Sequence, residues 1–519
     1  MRLLDIGSND VRIVGIHGMG GIGKTTIAKF IYDALKGSFE SHSFLADIQE
    51  TAQQFYGLVE LQKKLLTDTL KWCPDISHVE GGMDVIKNIF RTKKVLVVLD
   101  DVIERSQFSW LVGKHDWFGS GSRIIVTSKD RNVLDDIKVD AIYEPPFMNY
   151  MQSLQLFSIH AFRRKFPPEG YVSFSREIAS NAAGLPLALE VIGSFLSNKE
   201  KVVWEYTSWK LKKTSHDEVE RKLRVSIQGK QKLRVSYEAL SYPQRQIFLD
   251  IACLFTGMDK ATVFYMWDDC GYHPGKEFNV LCLTSLVKVE KDTNELRMHD
   301  QFRTLGRKII YEEKILGKRS RLWNHADALD VLVGRRGTEK VEALSLCFEL
   351  GSGMKPRFTS KEFAKLASLR YLRADGIELV GDFEDLFPCL RWLRWRGCPP
   401  HFKPTNFHLK NLVILDLSDS SITENWGGWN QIKMAYKLKV LRLANCALKR
   451  TPDFSSYTTL EILILRRCRS LVEIESISNL KKLKVLDISY TDIRKLPDEI
   501  LMLENLKVIG NIVREVESD

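Results

Sequence analysis

Gly18-Met19-Gly20-Gly21-Ile22-Gly23-Lys24-Thr25-Thr26 decides how the first part of this chain folds. Ahead of it, Val11 to Ile16 is an apolar run that reads as a buried strand; behind it, Thr25 to Leu35 reads as a helix. A glycine-rich turn between strand and helix aims several backbone N–H groups at one point, and the helix N-terminus adds partial positive charge there. This is a phosphate cradle. Gly18, Gly20, Gly21, Gly23 and Thr26 belong to the loop, Lys24 reaches the β- and γ-phosphates, and the Thr25 hydroxyl sits on Mg²⁺.

Gly18-x-Gly20-x-x-Gly23 also fits a dinucleotide fingerprint, which wants an acid about 20 residues on to hold the ribose. Asp47, after Phe44-Leu45-Ala46, is the candidate, although a surface acid at a strand end is the plainer reading. Two features decide against the dinucleotide. Lys24-Thr25-Thr26 completes G-x-x-x-x-G-K-T, for which that fold has no use. The run Lys94 to Leu99 then ends in Asp100-Asp101, which reads as a strand buried on both faces with carboxylates at its ligand-facing end. Asp100 is expected to hold Mg²⁺ through water, and Asp101 to orient an attacking water. A third strand, Ser122 to Thr127, places Thr127 and Lys129 where they can touch a γ-phosphate; a solvated strand end is the alternative. Ala141 to Glu144, before Pro145-Pro146, closes the sheet.

Downstream the period becomes helical, from Tyr150 to about Lys213. Gly184-Leu185-Pro186 starts a helix running to about Leu196; Pro186 suits a first helical turn and also offers a flat ring to a base. Gln246 to Phe255 reads as a helix, and Leu281 to Val289 with Glu295 to Met298 as two small strands, so a helical domain with a β-wing is expected. Lys222-Leu223-Arg224-Val225-Ser226 recurs as Lys232-Leu233-Arg234-Val235-Ser236, which reads as an insertion and not a binding motif.

The last third repeats. Leucines 369, 390, 412, 438, 460, 483 and 506 each open an L-x-x-(L/I) unit, spaced by 21 to 26 residues. That is a leucine-rich repeat. Asn445 is expected where the repeat's turn takes a side-chain amide. Trp392, Arg394, Arg396, Asp416, Ser418, Arg442, Arg466, Asp487 and Ser489 are expected to line a concave, protein-binding face, with packing against the nucleotide domain as the alternative.

Composition sets bounds. At 519 residues, three or four domains are expected. No apolar stretch reaches the roughly 18 residues of a membrane span, and the first ten residues lack a signal-peptide pattern. Nine scattered cysteines without C-x-x-C pairs suit a reducing compartment, so a cytoplasmic or nuclear location is expected. The net charge of +10 is spread along the chain, which disfavours nucleic acid as the partner.

In order, Gly18–Thr26, Leu96–Asp101, Gly121–Thr127, Gly184–Leu189, Phe248–Cys253 and Met298-His299-Asp300 resemble the plant NB-ARC leucine-rich-repeat disease-resistance proteins. Leu99-Asp100-Asp101-Val102 and Phe248–Cys253 look like the subclass carrying an N-terminal TIR domain, for which the 17 residues before Gly18 leave no room. The resemblance implies a multidomain chain: an α/β P-loop NTPase domain over 1–150, a helical domain over 151–217, a winged-helix domain over 218–335 and an α/β repeat solenoid over 336–519. It also implies that Pro186 lies on the adenine, that His299 touches the β-phosphate of ADP and locks a closed state, and that Asp300 holds that loop. Lys129 stands where the family usually has Arg. The implied activity is an ADP/ATP-binding, Mg²⁺-dependent switch of plant immunity, at most a slow ATPase and without TIR NADase activity. Its partners are a pathogen effector or guarded host protein at the repeats, and other such receptors or further copies on activation. The alternatives are a truncated adaptor pairing with a full-length TIR-type receptor, and an active NTPase.

Overall fold

A computed structural model describes residues 2–53, 56–70, 76, 78–213, 234, 236–348, 350, 355–407, 409–494 and 498–510. The duplicated Lys222–Ser226 and Lys232–Ser236 segments lie outside them, apart from Arg234 and Ser236. The chain forms two compact units, residues 1–239 with 283–285, and 240–282 with 286–519.

The first unit is built on five parallel strands, β1 (Arg12–His17), β2 (Ser41–Leu45), β3 (Val95–Leu99), β4 (Arg123–Ser128) and β5 (Ala141–Tyr143), in the order 2-3-4-1-5. Alternation along the strands sorts the side chains to two faces. Val14, Ile16, Leu96, Val98 and Ile125 pack with Ala28 and Leu35 of helix α1 (Lys24–Leu35). Ile13, Val97, Leu99, Ile124 and Val126 pack on the other side with Leu65, Leu66 and Phe90. Burial on both faces explains why β3 and β4 read as unbroken apolar runs. Because the strands are parallel, the exits of β1, β2, β3 and β4 share one edge. Arg123 ties the segment before β1 to β4: its guanidinium is fully buried and donates to the carbonyls of Leu4, Asp5, Ser8 and Asp10.

Beyond the sheet, helices Tyr150–Phe162, Val172–Asn181, Pro186–Leu196 and Lys201–Lys213 form the expected helical segment. Its core contains Leu154, Phe157, Leu185, Leu189 and, from the glycine-rich loop, Ile22. Gly184 is required at the entry to the third of these helices. Its φ is +71°, and a Cβ there would lie 2.4 Å from the Met148 carbonyl oxygen.

In the second unit, the expected helix starts earlier, at Tyr242, where Ser241 and Gln244 form a capping box, and passes at Ile251 into a π-helical turn ending at Phe255. The strand expected from Leu281 is corrected: Pro274–Leu283 is helical, burying Phe278 and Leu281, and only Lys288–Val289 pairs with Leu296–Arg297.

The regularly spaced leucines build a nine-stranded sheet, with every strand parallel to its neighbours, running from Arg321–Leu322 to Val508–Gly510. Leu369, Leu390, Leu412, Leu438, Leu460 and Leu483 are fully buried in one continuous core. After six of these strands the chain turns through a left-handed residue: Gly376, Gly397, Asp419, Asn445, Arg467 and Tyr490 all have φ between +54° and +73°. The first five donate their N–H to a carbonyl of the next turn, at 2.8–3.3 Å. This corrects the reading of Asn445. Its side chain is exposed and donates to Asp419, while the inward position belongs to the next residue, Cys446. The Cys446 and Cys468 thiols reach the carbonyls of Leu417 and Leu443, and Ser420 bonds Ser418 in the same column. A thiol or hydroxyl does there the work expected of an amide.

Part of the face expected to bind partners is covered within the unit, and part is paired along the sheet itself. Trp392 is 3% exposed and stacks on Phe255, with ring centroids 5.2 Å apart. Arg442 donates to Thr262, Arg394 to Asp375, and Arg396 to Asp416. Arg466 stays exposed. At the start of the sheet the fully buried Asp250 carboxylate accepts two bonds from Arg370 (2.8 and 2.7 Å), one from Arg321 (2.8 Å) and one from Trp267 (2.9 Å). Burial alone would raise its pKa, but the two guanidinium groups hold it below the usual carboxylate range. Removing one partner of a buried pair leaves uncompensated charge. Asp250→Asn is therefore expected to cost the second unit about 3–5 kcal/mol in urea unfolding; a loss below about 1 kcal/mol would show that Glu342, also bonded to Arg370, suffices for both arginines.

Candidate functional site

The exit of β1 is where the site begins. Gly21 and Gly23 have φ of +81° and +102°, backbone that side chains resist, and Gly23 leads directly into α1. Lys24 is buried and its ammonium lies in the loop, donating to the carbonyls of Gly18 (2.7 Å) and Met19 (3.1 Å). Thr25 and Thr26 are exposed at the start of the helix.

Asp100, at the exit of β3, joins the elements. Thr25 Oγ1 lies 3.0 Å from both carboxylate oxygens, and Thr127 Oγ1, from the exit of β4, donates to Oδ1 at 2.6 Å. Thr127 is buried, and its hydroxyl also accepts the Asp101 N–H at 2.9 Å, so both of its capacities serve the aspartates. Asp101 takes a left-handed φ of +63°, and Lys129 sits 3.1 Å from its carboxylate. Asp100 is pushed up to about 6, first by burial and then by the charges of Asp47 and Asp101, against the lowering bonds from Thr127 and Thr25. A hydroxyl beside a carboxylate is a hard-oxygen donor pair suited to Mg²⁺, and a dication there would favour the ionised carboxylate that burial opposes.

Sequence reasoning undervalued Asp47. At the exit of β2 it adopts a left-handed φ of +53°, and the next two residues, Ile48 and Gln49, donate their N–H groups to the Asp100 and Asp101 carbonyls. Asp47 thus stands beside the pair it was set apart from. Only the parallel pairing of β2 with β3 brings it there, and no local pattern encodes that pairing.

Pro186 opens its helix half-buried, and the next N–H, from Leu187, donates to the Gly21 carbonyl at 3.3 Å. With Ile22 in the helical core, the loop is held from two sides. His299 belongs to the second unit, where it caps the helix Asp300–Tyr311; its Nδ1 lies 3.2 Å from the Gln301 N–H and 2.5 Å from Asp300 Oδ1.

Residues 2–166 match the model of the NB-ARC domain, and residues 242–314 match that of the winged-helix domain of Roq1-like disease-resistance proteins. The chain belongs to the plant NB-ARC disease-resistance family. It is 36% identical to disease resistance protein RUN1 of Vitis rotundifolia, over 92% of this chain and 37% of that protein. It is 34% identical to TMV resistance protein N of Nicotiana glutinosa, over 91% and 40%, and 32% identical to disease resistance protein RPP5 of Arabidopsis thaliana, over 94% and 33%. The chain thus spans about a third to two-fifths of the length of these relatives. The glycine loop and the Asp100 cluster both lie inside the NB-ARC match, a nucleotide-binding P-loop domain. Among the described residues no helix is long and apolar enough to cross a membrane.

The Asp100 environment gives a pH signature. Its folded pKa of about 6 lies above the ordinary aspartate value of 3.8, so the folded state holds a proton that the unfolded chain releases first. Stability from this group is full below the lower value and is lost as pH rises through the upper one, by about 3 kcal/mol. Asp100→Asn removes that dependence. In metal- and nucleotide-free unfolding, the wild-type protein is expected to lose stability relative to Asp100→Asn between pH 4 and 7; a constant difference would contradict the assigned environment.

Proposed function

We propose that the chain is an ADP/ATP-binding switch of plant innate immunity. The reading rests on one observation above all: Lys24, Thr25, Asp100 and Thr127 converge at one edge of the parallel sheet, on a loop whose Ile22 is packed into the helical core. On this reading Gly18, Gly20, Gly21, Gly23 and Thr26 cradle the phosphates and Lys24 turns from the loop carbonyls to the phosphate oxygens. Thr25 and Asp100 hold Mg²⁺, and Thr127 keeps Asp100 in place. Pro186 lies on the adenine. His299, with Asp300, reads the β-phosphate of ADP and favours the closed state. Magnesium supplies charge neutralisation at the phosphates, and the protein's part is to position its ligands.

Hydrolysis is expected to be slow. Asp101 is engaged by Lys129, which ties up the carboxylate that would orient water. Lys129 keeps the positive charge of an arginine at that place without its planar fork.

The same reading divides the chain into a nucleotide-binding domain over 1–150, a helical domain over 151–217, a winged helix over 218–335 and a leucine-rich-repeat solenoid over 336–519. The left-handed turns that bond from one repeat to the next support the solenoid. Its uncovered surface would meet a pathogen effector or a guarded host protein, and activation would bring copies or related receptors together in the cytoplasm or nucleus. Effector binding acts only if it favours the open state differentially.

Lys24→Ala and His299→Ala, purified beside the wild type, test this. Lys24→Ala is expected to lose the ADP that copurifies with the wild type, and His299→Ala to raise the bound ATP/ADP ratio and the mass in solution. Retained ADP in Lys24→Ala would refute the site, and an unchanged ratio and mass in His299→Ala would refute the lock.

A further inference from the structure

A cavity of about 450 Å³ in the second unit is lined by Glu313, Lys314, Lys318, Ser320, Lys340 and Glu342, among others. It lies outside the P-loop and uses none of its residues. Its charges do not cancel. Glu342 faces inward, accepting from Arg370 Nε at 3.0 Å with Arg321 at 3.8 Å; with Asp250 that makes two acids against two guanidinium groups, a balanced set. What remains is Glu313 against three lysines. Glu313 is itself occupied, accepting the Ser320 N–H (2.7 Å) and O–H (3.3 Å). No carboxylate among the described residues comes within ion-pair distance of Lys314, Lys318 or Lys340, which leaves the cavity about two charges positive.

The loops that carry these lysines are fixed. Thr338 Oγ1 donates to the Gly317 carbonyl at 2.9 Å, joining the loop of Lys318 to that of Lys340. Gly317 is obligatory there, since a Cβ would lie 1.9 Å from the Arg336 carbonyl oxygen. Arg319 bonds Asp327 at 2.9 Å and lies over the Tyr311 ring, 4.5 Å from its centroid. The backbone that carries Lys318 and Lys340 is therefore preformed, which lowers part of the ordering cost of binding an anion.

We infer that this cavity binds a compact, multiply phosphorylated small anion. The volume is that of a small-ligand site. Lysines act as point charges with three donors each, and three of them on one cavity suit a compact anion with several charged oxygens. Two sources carry this chemistry, a soluble polyphosphorylated ring and the headgroup of a phosphorylated inositol lipid.

The test is calorimetry of the full chain, saturated with ADP to occupy the P-loop, using inositol hexakisphosphate and inorganic triphosphate as probes. One-to-one binding that weakens as salt rises is expected. Lys314→Ala/Lys318→Ala/Lys340→Ala should weaken it at least tenfold with ADP content unchanged, and Lys361→Ala, an exposed lysine elsewhere in the unit, should not weaken it. All three lysines of the triple variant are exposed, so the fold is expected to persist, and the unfolding midpoint checks it. Sedimentation with phosphatidylcholine vesicles, with and without phosphatidylinositol bisphosphate, separates the sources: lysine-dependent capture by the phosphoinositide vesicles assigns the headgroup, and soluble binding without capture assigns the free anion. Absence of binding, or binding untouched by the triple variant, would overturn the inference.

Discussion

The Asp100 carboxylate is the buried charge around which the first unit is arranged. It closes a fully apolar strand and is reached by a hydroxyl from α1 and another from the neighbouring strand. Two hydroxyls do not offset the removal of a carboxylate from water, and its pKa rises to about 6. A structure selected for stability alone would put an apolar residue or an amide there. Retaining a carboxylate in that place has a physical purpose if a cation completes it. The metal reading follows from electrostatics as much as from sequence spacing.

The second unit solves a related problem differently. Asp250 is as deeply buried, yet it is surrounded by Arg321, Arg370 and Trp267 and is held ionised. Its partners come from opposite ends of the sequence pattern: Asp250 closes a helix of the winged-helix match, and Arg370 precedes a strand of the repeat sheet. With Phe255 on Trp392 and Thr262 on Arg442, the same helices cover the first rows of that sheet. The covered rows cannot also serve a partner, whereas Arg466 further along the sheet stays exposed.

Where the chemistry is local, the sequence was legible. The glycine loop, the buried strand with its terminal acids and the helix begun by Pro186 each follow from spacing within about ten residues, and the leucine period from a repeat of 21 to 26. Two of the differences share a long-range cause. Asp47 reaches the site only through strand pairing across some fifty residues, and the covered face depends on which element folds over it. The strand expected at Leu281 was a period error, since a short apolar run does not distinguish a strand from one side of a helix. At Asn445 the backbone, not the side chain, is what the turn requires: φ of +54° is a conformation asparagine tolerates, and the inward place falls to Cys446.

On the proposed reading the nucleotide sits on a glycine loop clasped between the sheet and the helical segment, through Ile22 in the helical core and the Leu187 N–H on the Gly21 carbonyl. Hydrogen–deuterium exchange of the nucleotide-free chain, with and without ADP, tests it most directly. Joint protection of peptides covering residues 12–36 and 184–196 is the predicted result. Protection absent from both, or confined to other parts of the chain, would contradict the account.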